Sequence, residues 1–434
     1  MLAIAECFCA PGAGSYEIRP GWSLFLRGCK LIQHRSPLRH IDFHLIQYYA
    51  LSSEYLMQSE LLYDASRAVS TAAQLAMRAR LNEERVWNTL PEQDIKNRKR
   101  LWWTIYFLDR KISQRTGSPY VIRDTEIALS EFVQGPTTKT DRYMQVLVDL
   151  GKLWSLIWDT FFAASAPKPQ DWKEVELMDT RILMVQRELA SELSWDTNLL
   201  NRVYMAQEEQ EPCVRRRLAI FIRLNLLRLT IRQNPIQKHQ GTRCYSICVS
   251  LASETVEAIA AFTESCQSVI PCGFFFCTAL LECIYHLILC MQTIPTEKEY
   301  EASVQSFRLA YQLLERFSQV LDTAERALRA LNSVISLAAI TNSHSPDQGS
   351  SPLCQSEQAP AVNLNFNVPE TIDFFDPTSW QIDDIPLDVV ALISSMGDNP
   401  VDDTALGGNR EQSPAPDSYI WDCEYGVAST IMNV

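Results

Sequence analysis

Glycine is scarce in this chain: 14 of 434 residues, less than half the usual share of about 7%. Sandwiches, barrels and dinucleotide folds need Gly at turns and phosphate loops, so their absence is expected. Gly12-x-Gly14 lacks the third Gly and the preceding strand of a nucleotide loop. Excess positive charge is missing too. The net charge is −13, whereas a chain that wraps nucleic acid over its whole surface should be basic. Strand-type alternation and fixed-period repeats are absent. No Ser-His-Asp arrangement or nucleophile elbow stands out, so an enzyme reading has no chemistry to rest on. The start, Met1 to Glu6, lacks the basic region of a secretory signal. With 13 Cys, an odd number, this points to a reducing compartment in which Cys acts as a small buried hydrophobe.

What is present is helical pattern after helical pattern. His44 to Met57 is apolar. Glu60 to Leu81 repeats Leu61, Ala65, Ala68, Ala72, Leu75, Ala76 and Ala79 at three- and four-residue steps, the period of one helix face. Small side chains there should let a neighbouring helix approach closely. Further helical stretches are expected over 140–163, 171–194, 212–233, 242–268, 272–292 and 298–340. The length alone suggests about three domain-sized units.

The run Arg98 to Ser113 is the most informative. Leu101, Ile105, Leu108 and Ile112 form one stripe. Trp102, Tyr106 and Asp109 form a second, and Trp103, Phe107 and Arg110 a third. Consecutive helical residues point about 100° apart. Trp102 and Trp103 therefore cannot share a face, yet each carries ~150–250 Å² to bury, so this helix should be surrounded. Asp109 has no basic residue at i±3 or i±4 and, if buried, needs a tertiary partner or a backbone donor. Gly117 should end the helix and Pro119 prevent its resumption. An extended stretch should follow from Tyr120 to Leu129. Lys96-Asn97-Arg98-Lys99-Arg100 and Arg215-Arg216-Arg217 read as solvated charges whose long side chains snorkel outward, rather than as phosphate-binding stripes.

Other constellations favour bland readings. His40 and His44 sit at i, i+4, but Ile41 occupies the place where a zinc protease needs Glu. Cys244, Cys248, Cys266, Cys272, Cys277, Cys283 and Cys290 contain no CxxC pair and fall in apolar helices, which predicts buried thiols. In Asp383-Asp384-Ile385-Pro386-Leu387-Asp388, the residue at i+4 from Asp383 is Leu387 and Pro386 interrupts any helix, which argues against the metal-binding aspartates of an isoprenoid synthase. The apolar run Cys272 to Met291 carries Glu282 and His286, where a membrane span would find charge expensive. A buried core helix is expected, and no membrane association.

After about Asn342 the composition changes. Residues 341–434 hold 15 acidic side chains and one basic, Arg410, leaving 37 acidic and 38 basic in residues 1–340. Within this segment Phe374, Phe375, Trp380 and Leu387 are interleaved with Asp373, Asp376, Asp383, Asp384 and Asp388. That is the composition of a disordered acidic activation segment. Carboxylates would keep the apolar residues solvated until a coactivator groove captured them.

Three blocks carry a resemblance. They are the Ala-rich helix from Ala68 to Asn82, the run Arg100-Leu101-Trp102-Trp103 with Tyr106, Asp109 and Arg110, and Gly117-Ser118-Pro119 with Ile122, Asp124 and Glu126. Together they make residues 40–132 similar to the middle regulatory region of fungal binuclear zinc-cluster transcription factors. The resemblance implies an all-α regulatory domain over 1–341, an acidic segment over 342–434, nuclear location and gene-specific transcription control, often of a metabolic or secondary-metabolite gene cluster. It also implies a partner in the transcription machinery and self-association as a homodimer. The sequence departs from the family at Arg80-Leu81-Asn82, where Gly-Leu-His is common, and at Ser118. The family's six-Cys zinc module is missing as well. The chain is thus expected to carry no cofactor of its own, and to bind DNA only if a zinc cluster precedes it. Alternatives are a DNA-free protein that titrates partners of related factors, or an all-α enzyme.

Overall fold

The computed structural model describes residues 1–9, 20–33, 43–130, 138–166, 172–200, 210–233, 242–265, 273–293 and 297–343. Helical periodicity governs what is seen there. The helices are α1 (Leu2–Cys9), α2 (Trp22–Gln33), α3 (Phe43–Gln58), α4 (Leu62–Arg78), α5 (Glu92–Thr116), α6 (Lys139–Ile157), α7 (Trp172–Glu188), α8 (Gln210–Thr230), α9 (Thr242–Ser265), α10 (Gly273–Thr293), α11 (Glu297–Phe317) and α12 (Asp322–Ser343). Short 3-10 turns and one π turn (Trp158–Phe162) join or extend them. Among the described residues the fold is all-α, and the nearest thing to a sheet is a single parallel bridge between Glu83 and Ala128.

The side chains sort into two apolar cores. The first is built from α1, α3, α4, α5, α6 and α7. The second is built from α9 to α12. Helix α8 serves both. Ile220, Leu224 and Leu227, with Ile231 just past its end, enter the first core, while Val214, Leu218, Ile222, Leu226 and Leu229 enter the second. Each set steps by three or four residues, so two opposite apolar stripes make this helix a shared wall.

Helix α4 shows how local chemistry sets boundaries. Its Ala65, Ala68, Ala72 and Ala76 are buried, and the narrow face packs against α3 and α5. The helix is shorter than the apolar pattern suggests because a left-handed turn bounds it on each side. Before it, Glu60 (φ 64°) closes α3, with Leu61 N–H bonding Leu56 O at 2.8 Å and Glu60 N–H bonding Met57 O at 3.0 Å. After it, Arg80 (φ 56°) closes α4 with the same two-bond pattern, Leu81 to Ala76 and Arg80 to Met77. Both are Schellman turns, which usually place Gly at the left-handed position. The sequence departure at Arg80 thus falls where a Gly would be least strained.

Three expectations need correction. The pattern over 298–340 is two helices, broken at Ser318–Leu321 between α11 and α12. Tyr120 to Leu129 is bent, with a 3-10 turn at Asp124–Glu126, because Asp109 and Arg110 draw its backbone and Asp124 inward. Lys99, Arg215 and Arg216 are buried rather than snorkelling outward. The α5 helix starts at Glu92, so Lys99 and Arg100 lie two turns in and meet carboxylates from other segments. Helices Cys244–Ser265 and Gly273–Met291 are long and apolar enough to cross a membrane, but 83% of the second one's most apolar window is buried inside the fold. The acidic segment, with Phe374, Phe375, Trp380 and Leu387, lies outside the described residues, as do His40, Cys266 and Cys272.

Candidate functional site

Helix α5 crosses the middle of the first core. Trp102 is 0% exposed and Trp103 4%. Trp103 meets Tyr106 edge-on, with ring centres 5.3 Å apart, and Lys152 lies 5.7 Å over its ring. Leu101, beside them, is fully buried. The indole N–H groups of both tryptophans and the Thr104 hydroxyl have no hydrogen-bond partner among the described residues. Buried indoles usually find one, so both rings here act as apolar volume.

The polar centre lies one turn further along. The side chain of Arg110 is 1% exposed. Its guanidinium sits between two rings, 3.9 Å from the centre of Tyr106 and 4.2 Å from that of Tyr120. It donates to Asp109 Oδ2 at 2.8 Å, to Asp124 Oδ1 at 2.7 Å and to Ser155 Oγ at 3.1 Å. Asp109 in turn accepts from the backbone N–H groups of Val121 and Ile122 at 2.9–3.1 Å. Neighbouring helical residues rarely face each other. The Asp109–Arg110 pair meets because a third segment, Val121 to Asp124, closes over both. Burial pushes the Asp109 carboxyl above its ordinary value, against the pull of Arg110 and the two amides. Tyr120 donates to Asp159 at 2.9 Å, and burial together with that carboxylate pushes its phenol up to about 12.

Local structure positions these groups. Gly117 (φ 61°) ends α5 in the left-handed region. Ser113 Oγ donates to Ser118 O at 2.6 Å and accepts from the Trp154 indole at 3.2 Å. Pro119 then leads the chain back over Arg110. On α6, a Cβ at Gly151 would come within 2.9 Å of Tyr106 Cε1, so this glycine sets how closely α6 approaches α5. Beside it lies a cavity of about 20 Å³ lined by Phe107, Arg110, Lys111, Gln114, Trp154 and Arg223, among others. That is room for about one water, not for an organic ligand.

Further ion pairs fasten α5. Lys111 meets Glu54 of α3 at 3.2 Å, with both side chains buried. Arg100 and Lys96 meet Asp141 at 2.8 and 3.4 Å, while Asp141 also forms a capping box with Thr138 at the start of α6. Burial works to raise the Asp141 carboxyl, but Arg100, Thr138 and Lys96 outweigh it and hold it below its ordinary value. Lys99 bonds Glu84 at 2.7 Å. Sequence reasoning missed Glu54, Lys111 and Asp141. The available signal was charge inside an otherwise apolar run, as at Glu54 between Ala50 and Met57.

The second core holds a different set of groups. Cys244, Cys248, Cys277, Cys283 and Cys290 are free thiols and fully buried. Burial raises Cys277 and Cys283, and pushes Cys290 up to about 12. Cys244 alone is lowered, by a bond from Cys248. His286 faces two carbonyls, Glu282 O at 2.8 Å and Leu229 O at 3.0 Å. Burial depresses its pKa to about 4, against the pull of both carbonyls, which favour the charged ring. Among the described residues no cluster of His, Cys, Asp or Glu could hold a metal ion. The geometry around α5 supplies rigidity: ions are paired with ions.

Residues 12–162 match the fungal specific transcription factor domain. The match spans α2 to α6 and ends with the π turn. No curated protein and no solved structure matched the chain.

Proposed function

From the fungal-specific transcription factor domain at residues 12–162, we propose that this chain is a gene-specific regulator of transcription acting in the nucleus. The helical body, residues 1–341, is the control module, and residues 342–434 are an acidic activation segment. The domain match supports the coarse reading, a fungal transcription regulator at family level. The charge division supports the finer one. Fifteen acidic side chains against one basic after residue 340 leave the aromatic and aliphatic residues there without cationic partners. That chemistry suits capture by a hydrophobic groove on a coactivator. Control of a metabolic gene cluster and homodimer formation belong to the same reading. DNA contact requires a zinc module, and no six-Cys pattern occurs in this sequence.

A reporter assay tests the proposal. Residues 342–434 fused to a heterologous DNA-binding domain should activate transcription. Replacing Phe374, Phe375, Trp380 and Leu387 together by Ala should abolish that output. A silent wild-type fusion would remove the activation reading and favour a protein that titrates partners of related factors.

A further inference from the structure

Helix α7 turns Val175, Met178, Asp179 and Ile182 inward, where they are buried. At about 100° per residue, the opposite face is centred on Leu177 and Met184. These two side chains are 56% and 52% exposed. A single exposed apolar residue is normal on a surface. Among the described residues, α7 is the one helix that carries two large ones. They stand seven positions apart, so both lie on one line along the helix. With Lys173 and Thr180, also exposed, they step by four, three and four residues. That is the spacing of a seam between two helices.

Charge identifies what fits the seam. Glu174 and Arg181 flank the apolar line on the same side, again seven positions apart. Neither has an opposite charge three or four positions away among the described residues of its own helix, where a helical ion pair would form. Neither meets one elsewhere among the described residues. A second α7 laid antiparallel, with a two-fold axis level with Met178 and Asp179, answers both. It sets Leu177 against the partner's Thr180, and Met184 against the stem of the partner's Lys173. Glu174 then lies beside the partner's Arg181, and Arg181 beside the partner's Glu174.

We infer that α7 is a self-association surface, through which two copies of this chain pair antiparallel with Leu177 and Met184 in the seam and the Glu174–Arg181 contact made twice. A two-fold interface uses the same patch on both copies, so each contact is duplicated. Antiparallel helices also set the positive end of one dipole beside the negative end of the other. The helix has 17 residues, about 25 Å of length, and a seam this short makes the pairing weak and concentration-dependent. This surface rests on the homodimer reading given above and gives it a place on the fold.

Sedimentation equilibrium on the full chain, over a range of protein concentrations, tests the pairing. The parent should show a monomer–dimer equilibrium that weakens as salt rises. Leu177→Glu combined with Met184→Glu should leave a monomer, with helix content and melting midpoint unchanged because both side chains already face water. Glu174→Arg alone and Arg181→Glu alone should each weaken the dimer on the order of tenfold. The two together should restore it to the parent's level. A combined charge swap as weak as either single one would overturn the antiparallel pairing. A dimer that survives the two introduced glutamates would leave the homodimer reading standing and overturn α7 as its surface. A parent that stays monomeric at every concentration would remove the homodimer reading and this surface with it.

Discussion

The two cores of this molecule solve the problem of buried polarity in opposite ways. The first interrupts its aromatic packing with paired ions: Asp109 with Arg110, Glu54 with Lys111, Asp141 with Arg100. The second answers its buried Glu282 with the Thr230 hydroxyl and its His286 with two backbone carbonyls, among leucines, alanines, phenylalanines and thiols. A buried ion pair contributes little net stability against an apolar substitute but is costly to break. It also fixes geometry, because each ion must meet its partner. The first core is therefore the more specified of the two, and its helices α3 to α6 fall within the matched residues 12–162. Helix α8 belongs to both, so the two should not unfold independently.

The largest effects test the ion network. Arg110→Leu leaves Asp109 buried without its counterion and should cost about 3–5 kcal/mol. Trp103→Ala should cost a similar ~3–5 kcal/mol through the cavity it leaves. Denaturant titration measures both, and parent-like midpoints would mean that α5 does not anchor the first core. Next, Leu224→Ala and Leu226→Ala hollow the two faces of α8 in turn. Each should lower stability by about 2–5 kcal/mol and leave one cooperative transition. Two resolved transitions would break the shared-wall account.

Acid should strike the second core through His286. Its folded pKa lies near 4, below the unfolded value of about 6.5. Between those values the unfolded chain binds the extra proton, so stability is full above pH ~6.5 and falls as pH drops toward 4. His286→Leu should flatten that part of the pH–stability profile. A smaller effect of opposite sign is expected at Thr104, whose buried hydroxyl has no partner. Thr104→Val should stabilise by about 1 kcal/mol. The smallest is Arg80→Gly, which relieves a left-handed φ and should raise the melting temperature by about 2 °C. A fall instead would show that the Arg80–Glu83 pair at 2.7 Å outweighs the backbone.

Much of the helical layout was legible because it depends on periodicity alone. The stripes on α5, the small face of α4 and the stop at Gly117–Pro119 all follow from side-chain spacing and backbone preference. Partners were not legible. Asp109 could be seen to need one, but Arg110, its immediate neighbour, was passed over because adjacent helical residues normally diverge. Glu54, Asp141 and Thr323 carried no local mark of their roles, since their partners lie 57, 41 and 263 positions away. The long pattern over 298–340 concealed a break, because an apolar run can continue in register through a short turn.

Sequence by itself determined that this protein is built from helices, which of their faces are apolar, and that its excess of negative charge is confined to the last fifth of the chain. These are properties of spacing and composition, and each is complete within a few neighbouring residues. Tertiary structure alone decided that there are two cores sharing one helix, that the charges at Lys99 and Arg100 turn inward, and that Glu60 bonds Thr323 and Arg326 from the other end of the chain. Those outcomes depend on which segments meet in space. A carboxylate, a guanidinium or a free helix end has several chemically adequate partners, and only packing selects among them.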